Sequence, residues 1–158
     1  MTLSKKQLIV KRSSIPSSGQ GLFTKVRIPA GTRIVEYLGK ITTWKEADHK
    51  DGRNGYIYYV TRNHVIDALP KKNALARYAN DARGMSRKKG ITNNSDYVEY
   101  GRNVYIESTK DIPPGAEILV AYGKEYWDVI RFNSKLWKKE EKEKLAKRKN
   151  GRSGKKKS

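Results

Sequence analysis

The chain has 158 residues, of which 36% are hydrophobic and 32% are charged, so it has room for one domain with a core and a modest extension, not for two full domains. It contains no cysteine and only two histidines, which excludes disulfide bonds and thiolate zinc sites and leaves no HExxH-like spacing for a metal. The formal net charge of +19 makes nucleic acid or another polyanion a candidate partner.

The beginning of the chain is polar and lacks the apolar stretch of a signal peptide. No segment is apolar for long enough to cross a membrane. We therefore expect a soluble protein that stays inside the cell, in the cytoplasm or with nuclear or nucleoid material, and that does not contact a membrane.

The first part of the chain predicts short strands separated by a loop. The apolar run Leu8–Lys11 predicts a strand, and the segment Ser13–Gly21, rich in serine, proline and glycine, predicts a loop. Extended backbone resumes at Leu22–Thr24, and a longer apolar strand is predicted over Ile34–Leu38.

One turn unit occurs twice in the sequence. Ile28-Pro29-Ala30-Gly31 precedes the strand at Ile34, and Ile112-Pro113-Pro114-Gly115 precedes the strand Ile118–Val120. In both units proline fixes φ and glycine supplies the tight turn. Two separated units of this kind predict a β core assembled from several small sheets.

The middle of the chain predicts hairpins and short helical segments. Thr43, with Glu46 three residues later, matches the pattern of a capping box, which predicts a short helix through about His49. The other predicted elements are two hairpins, Tyr56–Val60 with Val65–Ala68 and Tyr97–Tyr100 with Asn103–Ser108, and a helical turn within Asn73–Asn80.

The sequence changes character from Lys124 onward. Trp127, Ile130 and Trp137 recur at roughly helical spacing, and the residues after them are almost all charged. The last residues are lysine, glycine and serine with nothing to bury, which predicts disorder. We therefore predict a folded catalytic domain at residues 1–128, a helical extension at 129–149 and a disordered basic tail at 150–158.

Two glycine motifs lie beside predicted strands. Gly19-Gln20-Gly21 precedes Leu22, and Glu36-Tyr37-Leu38-Gly39 ends the strand that begins at Ile34. Glycine has no Cβ, so it lets a backbone approach a small molecule closely. Taken alone, the first motif is usually just a turn, and the second is equally well explained as an ordinary strand followed by a glycine turn.

Two longer motifs are more specific. Ile66-Asp67-Ala68 is followed by Asn73-Ala74-Leu75-Ala76-Arg77-Tyr78-Ala79-Asn80-Asp81, and the last motif is Gly115-Ala116-Glu117-Ile118-Leu119-Val120-Ala121-Tyr122-Gly123. The amide of Asn80 suits the orientation of a polar ligand. A tyrosine after an apolar strand normally belongs to the core, but under that reading four ordered motifs would coincide by accident.

In this order the four motifs resemble the signatures of the SET-domain protein-lysine methyltransferases, in a compact form without cysteine-rich flanking domains. Arg77 and Asn80 match the family's GNxARFxNHS segment position by position. The resemblance implies a mainly β SET-domain fold of several small sheets around the site, with a C-terminal helix. It also implies methyl transfer from S-adenosylmethionine to the ε-amine of a protein lysine, with S-adenosylhomocysteine as product and no metal.

The resemblance also implies the site residues. The lysine channel would be lined by four tyrosines, with Tyr122 nearest the reacting methyl: Tyr37, Tyr58, Tyr97 and Tyr122. No zinc-bound domain follows the last motif, so an aromatic pair from the C-terminal segment would pack over the adenine. The residues assigned to the cofactor are Gly19, Gln20, Gly21, Leu22, Tyr56, Arg77, Asn80, Asp81, Tyr126 and Trp127.

A channel lined by tyrosines suits this chemistry. The amine must be neutral and aligned with the C–S bond of the sulfonium, and neither an oxyanion hole nor a metal is needed. Neutralising a lysine with a pKa of about 10.4 at pH 7 costs roughly 4–5 kcal/mol, and aromatic walls lower that cost by desolvating the ammonium. Ten tyrosines against two phenylalanines fit such a channel, although exposed strand tyrosines explain the excess equally well.

Several positions depart from the family pattern. Asp81 stands where the family usually has histidine, Ala82 where it has serine, and Lys40 where it has an acid. The family histidine contributes mainly through its backbone, so we expect Asp81 to be tolerated. Val120 replaces an aromatic residue found in some members, and Tyr97 is the candidate for the missing hydroxyl, which predicts the addition of one or two methyl groups rather than three.

Roughly half of the net positive charge lies after Ser134. A basic enzyme does not attract a basic histone tail over long range, so the groove itself would need local acids such as Glu36, Asp96, Glu99 or Glu107. The basic tail has three open interpretations: phosphate contacts with DNA or RNA beside a chromatin or nucleoid substrate, self-methylation at lysines such as Lys155–Lys157, or solubility alone.

Two other functions stay open at this point: a basic nucleic-acid-associated protein that uses an inactive SET-like fold for binding, and an inactive SET domain that binds peptides. Intact Arg77, Asn80 and Tyr122 favour an enzyme over an inactive peptide binder. Neither a groove-reading helix nor an RNA-binding aromatic motif is evident, which counts against the nucleic-acid binder.

Overall fold

The computed structural model describes residues 2–50 and 53–156, and the chain in it divides into two compact units. The first unit ends at Tyr122 and consists mainly of short strands, and the second begins at Gly123 and contains one helix, α1 (Lys124–Lys156). The strands are β1 (Leu8–Arg12), β2 (Gln20–Thr24), β3 (Arg33–Glu36), β4 (Lys40–Thr42), β5 (Ile57–Thr61), β6 (His64–Asp67), β7 (Ser95–Tyr100), β8 (Asn103–Ser108), β9 (Glu117–Ile118) and β10 (Val120–Ala121).

The described strands form three small sheets, which confirms the predicted mainly β architecture. One sheet has the order β1-β2-β9, a second has β10-β7-β8-β3, and the third has β4-β6-β5. Strands that are close in sequence pair in antiparallel hairpins, whereas β10 lies parallel to β7. Segments from the beginning, middle and end of the first unit are therefore brought side by side.

The β7–β8 hairpin shows why these residues form strands. Val104, Ile106 and Ser108 alternate along β8 on the buried face of the sheet, as the period of two in a half-buried strand requires. Gly101, with φ of 64°, occupies the turn in the left-handed conformation that glycine adopts without strain. The predicted hairpin is confirmed, with β7 starting at Ser95 rather than Tyr97.

The two similar turn units pair with each other. The amide of Ile28 donates to the carbonyl of Ile112 at 2.8 Å, and the amide of Ile112 donates back to Ile28 at 2.8 Å. The glycines that end the units, Gly31 and Gly115, have φ of 80° and 83°. Both isoleucines are buried, so the repeat seen in the sequence forms a bridge across the core.

One main core joins the three sheets. It contains side chains with almost no exposure from β2, β3, β6, β8, β9 and β10, packed against one another. Burying aliphatic side chains of this size contributes about 1.5–3 kcal/mol each to stability. This burial compensates for the few hydrogen bonds that each short strand makes. The fully buried aliphatic members are Leu22, Ile28, Ile34, Val104, Ile106, Ile112, Ile118 and Val120.

The helix predicted from Thr43 through about His49 is wrong. The amide of Glu46 donates to Oγ1 of Thr43 at 3.2 Å and the amide of Ala47 donates to the carbonyl of Thr43 at 2.9 Å, so a single turn forms. The amide of Trp44 pairs instead with the carbonyl of Arg62 at 2.9 Å. The segment is held to the β5–β6 hairpin, and a helix this short gains too few hydrogen bonds to compete.

The helical turn predicted within Asn73–Asn80 is confirmed as a 3₁₀ helix over Leu75–Tyr78. The helix α1 starts ahead of the predicted boundary at residue 129 and includes residues 150–156, which we predicted as disordered. The lysine, arginine and glutamate residues that dominate residues 138–149 are good helix formers, which accounts for most of its length; residues 157 and 158 lie outside the described residues. Among the described residues, no helix combines the length and apolar character needed to cross a membrane.

Candidate active site

Four tyrosines from four segments of the first unit form one aromatic cluster. Tyr37 follows β3, Tyr58 lies in β5, Tyr97 lies in β7, and Tyr122 follows β10. The ring centroids of Tyr37 and Tyr58 and of Tyr37 and Tyr97 are 5.9 Å apart, those of Tyr58 and Tyr97 are 5.3 Å apart, and those of Tyr97 and Tyr122 are 6.1 Å apart. The structure therefore brings together the four tyrosines that the sequence assigned to the lysine channel.

Hydrogen bonds to the main chain hold two members of the tyrosine cluster in place. Tyr37 is 6% exposed, and its hydroxyl donates to the carbonyl of Tyr56 at 2.7 Å. The hydroxyl of Tyr122 donates to the carbonyl of Ala79. Both rings are thus fixed by main-chain atoms from neighbouring segments, as a site that orients a substrate requires.

A carboxylate lies beside the cluster at Tyr58. The Tyr58 hydroxyl donates to Oε1 of Glu99 at 3.1 Å. Burial of the phenol, together with the negative charge of Glu99 and this hydrogen bond, raises the pKa of Tyr58 to about 12. The ring therefore presents a neutral hydroxyl at physiological pH. Of the other acids considered from the sequence, Glu107 accepts a hydrogen bond of 2.8 Å from the Tyr100 hydroxyl.

Asn80 joins the glycine motif to the segment that carries Tyr122. Its Nδ2 donates to the carbonyl of Gln20 at 2.9 Å, and its own carbonyl accepts from the amide of Val120 at 2.9 Å. Since the Tyr122 hydroxyl is bonded to the residue before Asn80, the loop, the asparagine and the tyrosine form one continuous group. A single site built from the glycine loop, Asn80 and Tyr122 requires that these three parts lie next to one another, as they do here.

The two glycines of the loop meet different surroundings. Gly19 has φ of 62°, and a Cβ placed on it would have no neighbour within 4 Å. A Cβ on Gly21 would lie 2.4 Å from Oε2 of Glu117. Gly19 is therefore needed for its backbone conformation and borders open space, whereas Gly21 is needed because of close packing.

Glu117 fastens the loop in front of the glycine motif, and sequence reasoning assigned it no role. Its Oε2 accepts from the Ser13 hydroxyl at 2.7 Å, and its Oε1 accepts from the amide and hydroxyl of Ser14 at 2.9 and 2.6 Å. The side chain is 7% exposed. The available signal was an acidic residue within an otherwise apolar strand, since buried carboxylates normally have dedicated donors.

Arg77 packs inside the first unit. Its Nη1 donates to the carbonyls of Ala68 and Leu69 at 3.1 and 2.9 Å, and its guanidinium lies 4.2 Å from the centroid of the Tyr56 ring. Arg77 thus fixes Tyr56 and the end of β6. Leu22 is fully buried in the core, and its backbone pairs with Val10 and Ile118, so its assignment to the cofactor stays a prediction.

Asp81 is a buried acceptor rather than an exposed polar residue. It is 6% exposed, and its oxygens accept hydrogen bonds from Arg83, Asn93 and the amide of Tyr122. The carboxylate is therefore directed into the protein.

Tyr126 and Trp127 lie in α1, in the second unit. Their ring centroids are 5.0 Å apart and the rings are nearly perpendicular. Their assignment to the adenine stays a prediction. Within the ranges that the structure describes, no group of three or more histidine, aspartate or glutamate side chains could hold a metal ion.

The comparison with protein families decides the classification. The family model described as SET domain matches residues 19–123, which runs from the first glycine of the loop to the residue after Tyr122 and covers more than half of the chain. The chain belongs to the SET-domain family. The matched part contains the tyrosine cluster, the glycine loop and Asn80, so the group of contacts described above lies within the SET domain.

Individual relatives agree with this classification. Human histone-lysine N-methyltransferase PRDM7 is 28% identical over 130 residues, which cover 78% of this chain and 25% of the relative. An H3 lysine-4-specific histone-lysine N-methyltransferase of Emericella nidulans is 29% identical over 132 residues, which cover 78% of this chain and 10% of the relative. The chain therefore spans a quarter or less of the curated relatives it matches.

A solved structure shows the same fold. The methyltransferase domain of human PR domain-containing protein 2 superposes with a TM-score of 0.57 at 25% identity, covering 76% of this chain and 79% of that domain. The strands and small sheets of the first unit thus follow the arrangement of a SET domain.

Proposed function

We propose that this SET domain is a protein-lysine N-methyltransferase that uses S-adenosylmethionine. The observation that carries the proposal is the continuous group formed by Tyr122, Asn80 and Gln20, with three further tyrosines packed beside Tyr122. Both relatives named above are histone-lysine methyltransferases, which supports the same reaction class.

The residues around the glycine loop fit S-adenosylmethionine. The space beside Gly19 is open, so a ligand can approach the main chain there, and the Asn80 amide supplies polar atoms at the same place. We propose that Gly19, Gln20, Gly21 and Asn80 hold the amino-acid part of the cofactor. When bound, the cofactor supplies an electrophilic methyl group on a sulfonium.

The tyrosine cluster has the properties needed to prepare the lysine. Its aromatic faces remove water from the ammonium group, which lowers the lysine pKa and raises the fraction of neutral amine. Its hydroxyls orient the amine by hydrogen bonding. Burial and Glu99 raise the pKa of Tyr58 to about 12, so Tyr58 orients the amine without ionising. The lysine proton is released to solvent before methyl transfer.

A histone or another lysine-containing chromatin or nucleoid protein is the proposed substrate, because both relatives are named for histone lysines. Such a substrate implies an intracellular location. The many exposed lysines of α1 are proposed to contact nucleic acid near the substrate, and some are candidate sites of self-methylation. We propose one or two methyl groups per lysine, because Tyr97, whose ring centroid lies 6.1 Å from that of Tyr122, would supply near the amine the hydroxyl that Val120 lacks.

Calorimetric titration with S-adenosylmethionine, followed by transfer of labelled methyl to a histone mixture, tests this function. We expect micromolar binding that Asn80→Ala abolishes, and label on lysine, mostly as mono- or dimethyl product by mass spectrometry. Asn63→Ala is the matched control, because Asn63 is exposed in the β5–β6 turn.

The outcomes separate the rival functions. Binding of cofactor without transfer to any lysine would contradict the enzyme and leave a binding module. Absence of cofactor binding, together with salt-sensitive binding of DNA or RNA, would instead indicate a nucleic-acid-associated protein with an inactive SET fold.

A further inference from the structure

The Asp81 carboxylate links two segments of the SET domain through three hydrogen bonds. Its Oδ2 accepts from the main-chain amide of Tyr122 at 2.9 Å. Its Oδ1 accepts from the amide of Arg83 at 2.8 Å and from Nδ2 of Asn93 at 2.8 Å. A carboxylate that is 6% exposed and bonded on both oxygens has its orientation fixed.

The amide of Tyr122 lies just beyond the last sheet pairing. The strand β10 ends at Ala121, which pairs with Asp96, so the Asp81 oxygen continues the main-chain bonding where the strand stops. The other end of the tyrosine is bonded to the carbonyl of Ala79. Residues 79 and 81 therefore hold Tyr122 at its hydroxyl and at its amide.

The second oxygen of Asp81 closes the neck of the loop at residues 82–93. Asn93 donates to Asp81, and its own Oδ1 accepts from the amide of Ala82 at 2.8 Å. Oδ1 of Asp81 already accepts hydrogen bonds from Arg83 and Asn93. The carboxylate therefore cannot rotate away from Tyr122 without breaking both of these bonds.

We propose that Asp81 is a positioning residue that keeps the Tyr122 ring in the orientation used for methyl transfer; this inference rests on the proposed function. Three donors converge on Asp81 from two sides. A neutral imidazole, as the family pattern would place here, has one acceptor nitrogen and cannot serve all three. The two oxygens of the aspartate can accept from both donors of the loop at residues 82–93 and from the Tyr122 amide at the same time.

Asp81→Asn tests the proposal with little change in volume. An asparagine that keeps its oxygen toward Arg83 and Asn93 must turn its NH₂ toward the Tyr122 amide, so two donors face each other. The opposite orientation loses two bonds and is disfavoured. We expect kcat to fall by on the order of tenfold or more, because small misplacement of reacting groups is costly, while the KM for the substrate and the calorimetric Kd for S-adenosylmethionine change little.

Asn93→Ala is the matched control. It opens the neck of the loop, but the amide of Arg83 still binds Oδ1 of Asp81 and the bond between Asp81 and Tyr122 remains. It should lower the Tm while kcat stays within about twofold of the unaltered protein. A drop in Tm and kcat that is equal in the two variants would show a merely structural role for Asp81 and overturn the proposal. An unchanged kcat in Asp81→Asn would also overturn it.

Asp81→Glu covers the case in which the asparagine variant does not fold. It keeps the negative charge but displaces the carboxylate by one methylene, and we expect the same selective fall in kcat. The activity of the unaltered protein distinguishes failure of the proposed methyl transfer from failure of the positioning role. If it transfers no methyl, the proposed function fails; if it is active and the Asp81 variants match its kcat, only the positioning role fails.

Discussion

A Cβ atom on Gly21 would lie 2.4 Å from Oε2 of Glu117 and 3.2 Å from the Cα of Ser13. The glycine loop of the SET domain is therefore packed directly against the carboxylate that also binds the preceding serines. Conformation plays no part at this residue, because its φ is not in the left-handed region. The requirement for glycine is steric.

Gly21→Ala should destabilise the fold and weaken cofactor binding. Side-chain contacts this short force Glu117 to shift, and overpacking of this kind costs about 1–3 kcal/mol. Chemical denaturation and titration with S-adenosylmethionine measure the two effects. Gly19→Asn, in the same loop, is the control for stability alone: its backbone has φ of 62° and open space around it, and asparagine tolerates that conformation. A Gly21→Ala protein as stable as Gly19→Asn would contradict the steric argument.

Glu117→Ala should release the loop that precedes the glycine motif. It removes the acceptor of three hydrogen bonds from Ser13 and Ser14, and a typical hydrogen bond contributes about 0.5–1.5 kcal/mol net. Glu117→Gln should cost less, because its remaining oxygen can serve Ser14 while the Ser13 hydroxyl rotates to accept. The order of stability expected from thermal unfolding is therefore glutamate, glutamine, alanine.

The double variant Gly21→Ala with Glu117→Ala makes this prediction sharper. Removing the Glu117 side chain removes the atom that the new methyl group would strike. The loss of unfolding free energy in the double variant should thus be smaller than the sum of the single losses, by about 0.5–3 kcal/mol. Strict additivity would mean that the two residues are not coupled as the structure indicates.

Parts of this fold could be predicted because the relevant signals are local. The hairpins β5–β6 and β7–β8 are marked by alternation and by short turns between adjacent strands, and hairpin pairing needs little chain closure. The parallel pairing of β10 with β7 and the pairing of β9 with β2 could not be predicted, because nothing in a strand's own pattern names a distant partner.

The same distinction holds for the site. Tyr122, Asn80 and the glycines were recognised as parts of ordered motifs, whereas the bonds between Ser14 and Glu117 join residues that are 103 positions apart. Asp81 was recognised only as a tolerated departure from the family pattern. Its hydrogen bond with Asn93 could not be predicted, because Asn93 lies beyond a loop that has no periodic pattern. Side-chain pairs of this kind depend on tertiary packing, and the local sequence pattern carries no signal for them.

Arg77→Lys should lower stability more than a charge-conserving change at an exposed arginine. The guanidinium donates to the carbonyls of Ala68 and Leu69 while stacking on Tyr56, and lysine cannot keep both contacts. We expect a loss of about 1–2 kcal/mol, since cation–π contact alone contributes about 0.5–2 kcal/mol.

Urea unfolding measures this change, and Arg62→Lys in the exposed β5–β6 turn is the control. An Arg77→Lys protein with unchanged stability would contradict the packing role. Titration of Arg77→Lys with S-adenosylmethionine, under conditions in which the variant is fully folded, decides whether Arg77 also contacts the cofactor. Loss of such a contact would lower the affinity.

The Tyr58–Glu99 pair should give the protein a pH dependence confined to alkaline conditions. Burial and Glu99 raise the pKa of Tyr58 to about 12, above the ordinary value of about 10 that holds in the unfolded chain. The folded state thus favours the protonated phenol. The resulting stabilisation is fully present below about pH 10 and is lost as the pH rises through about 12. Since Tyr58 is partly exposed, we expect a small slope rather than a sharp transition.

Glu99→Gln should lower the pKa of Tyr58 while leaving it above the ordinary value, because burial is the larger cause of the shift and remains. An NMR titration of labelled tyrosine rings, with Tyr58→Phe to assign the signal, measures this directly. Glu107→Gln removes the carboxylate bonded to Tyr100 instead and should leave the Tyr58 titration unchanged. If Glu99→Gln and Glu107→Gln shift the Tyr58 signal equally, the hydrogen bond between Tyr58 and Glu99 does not contribute to its pKa.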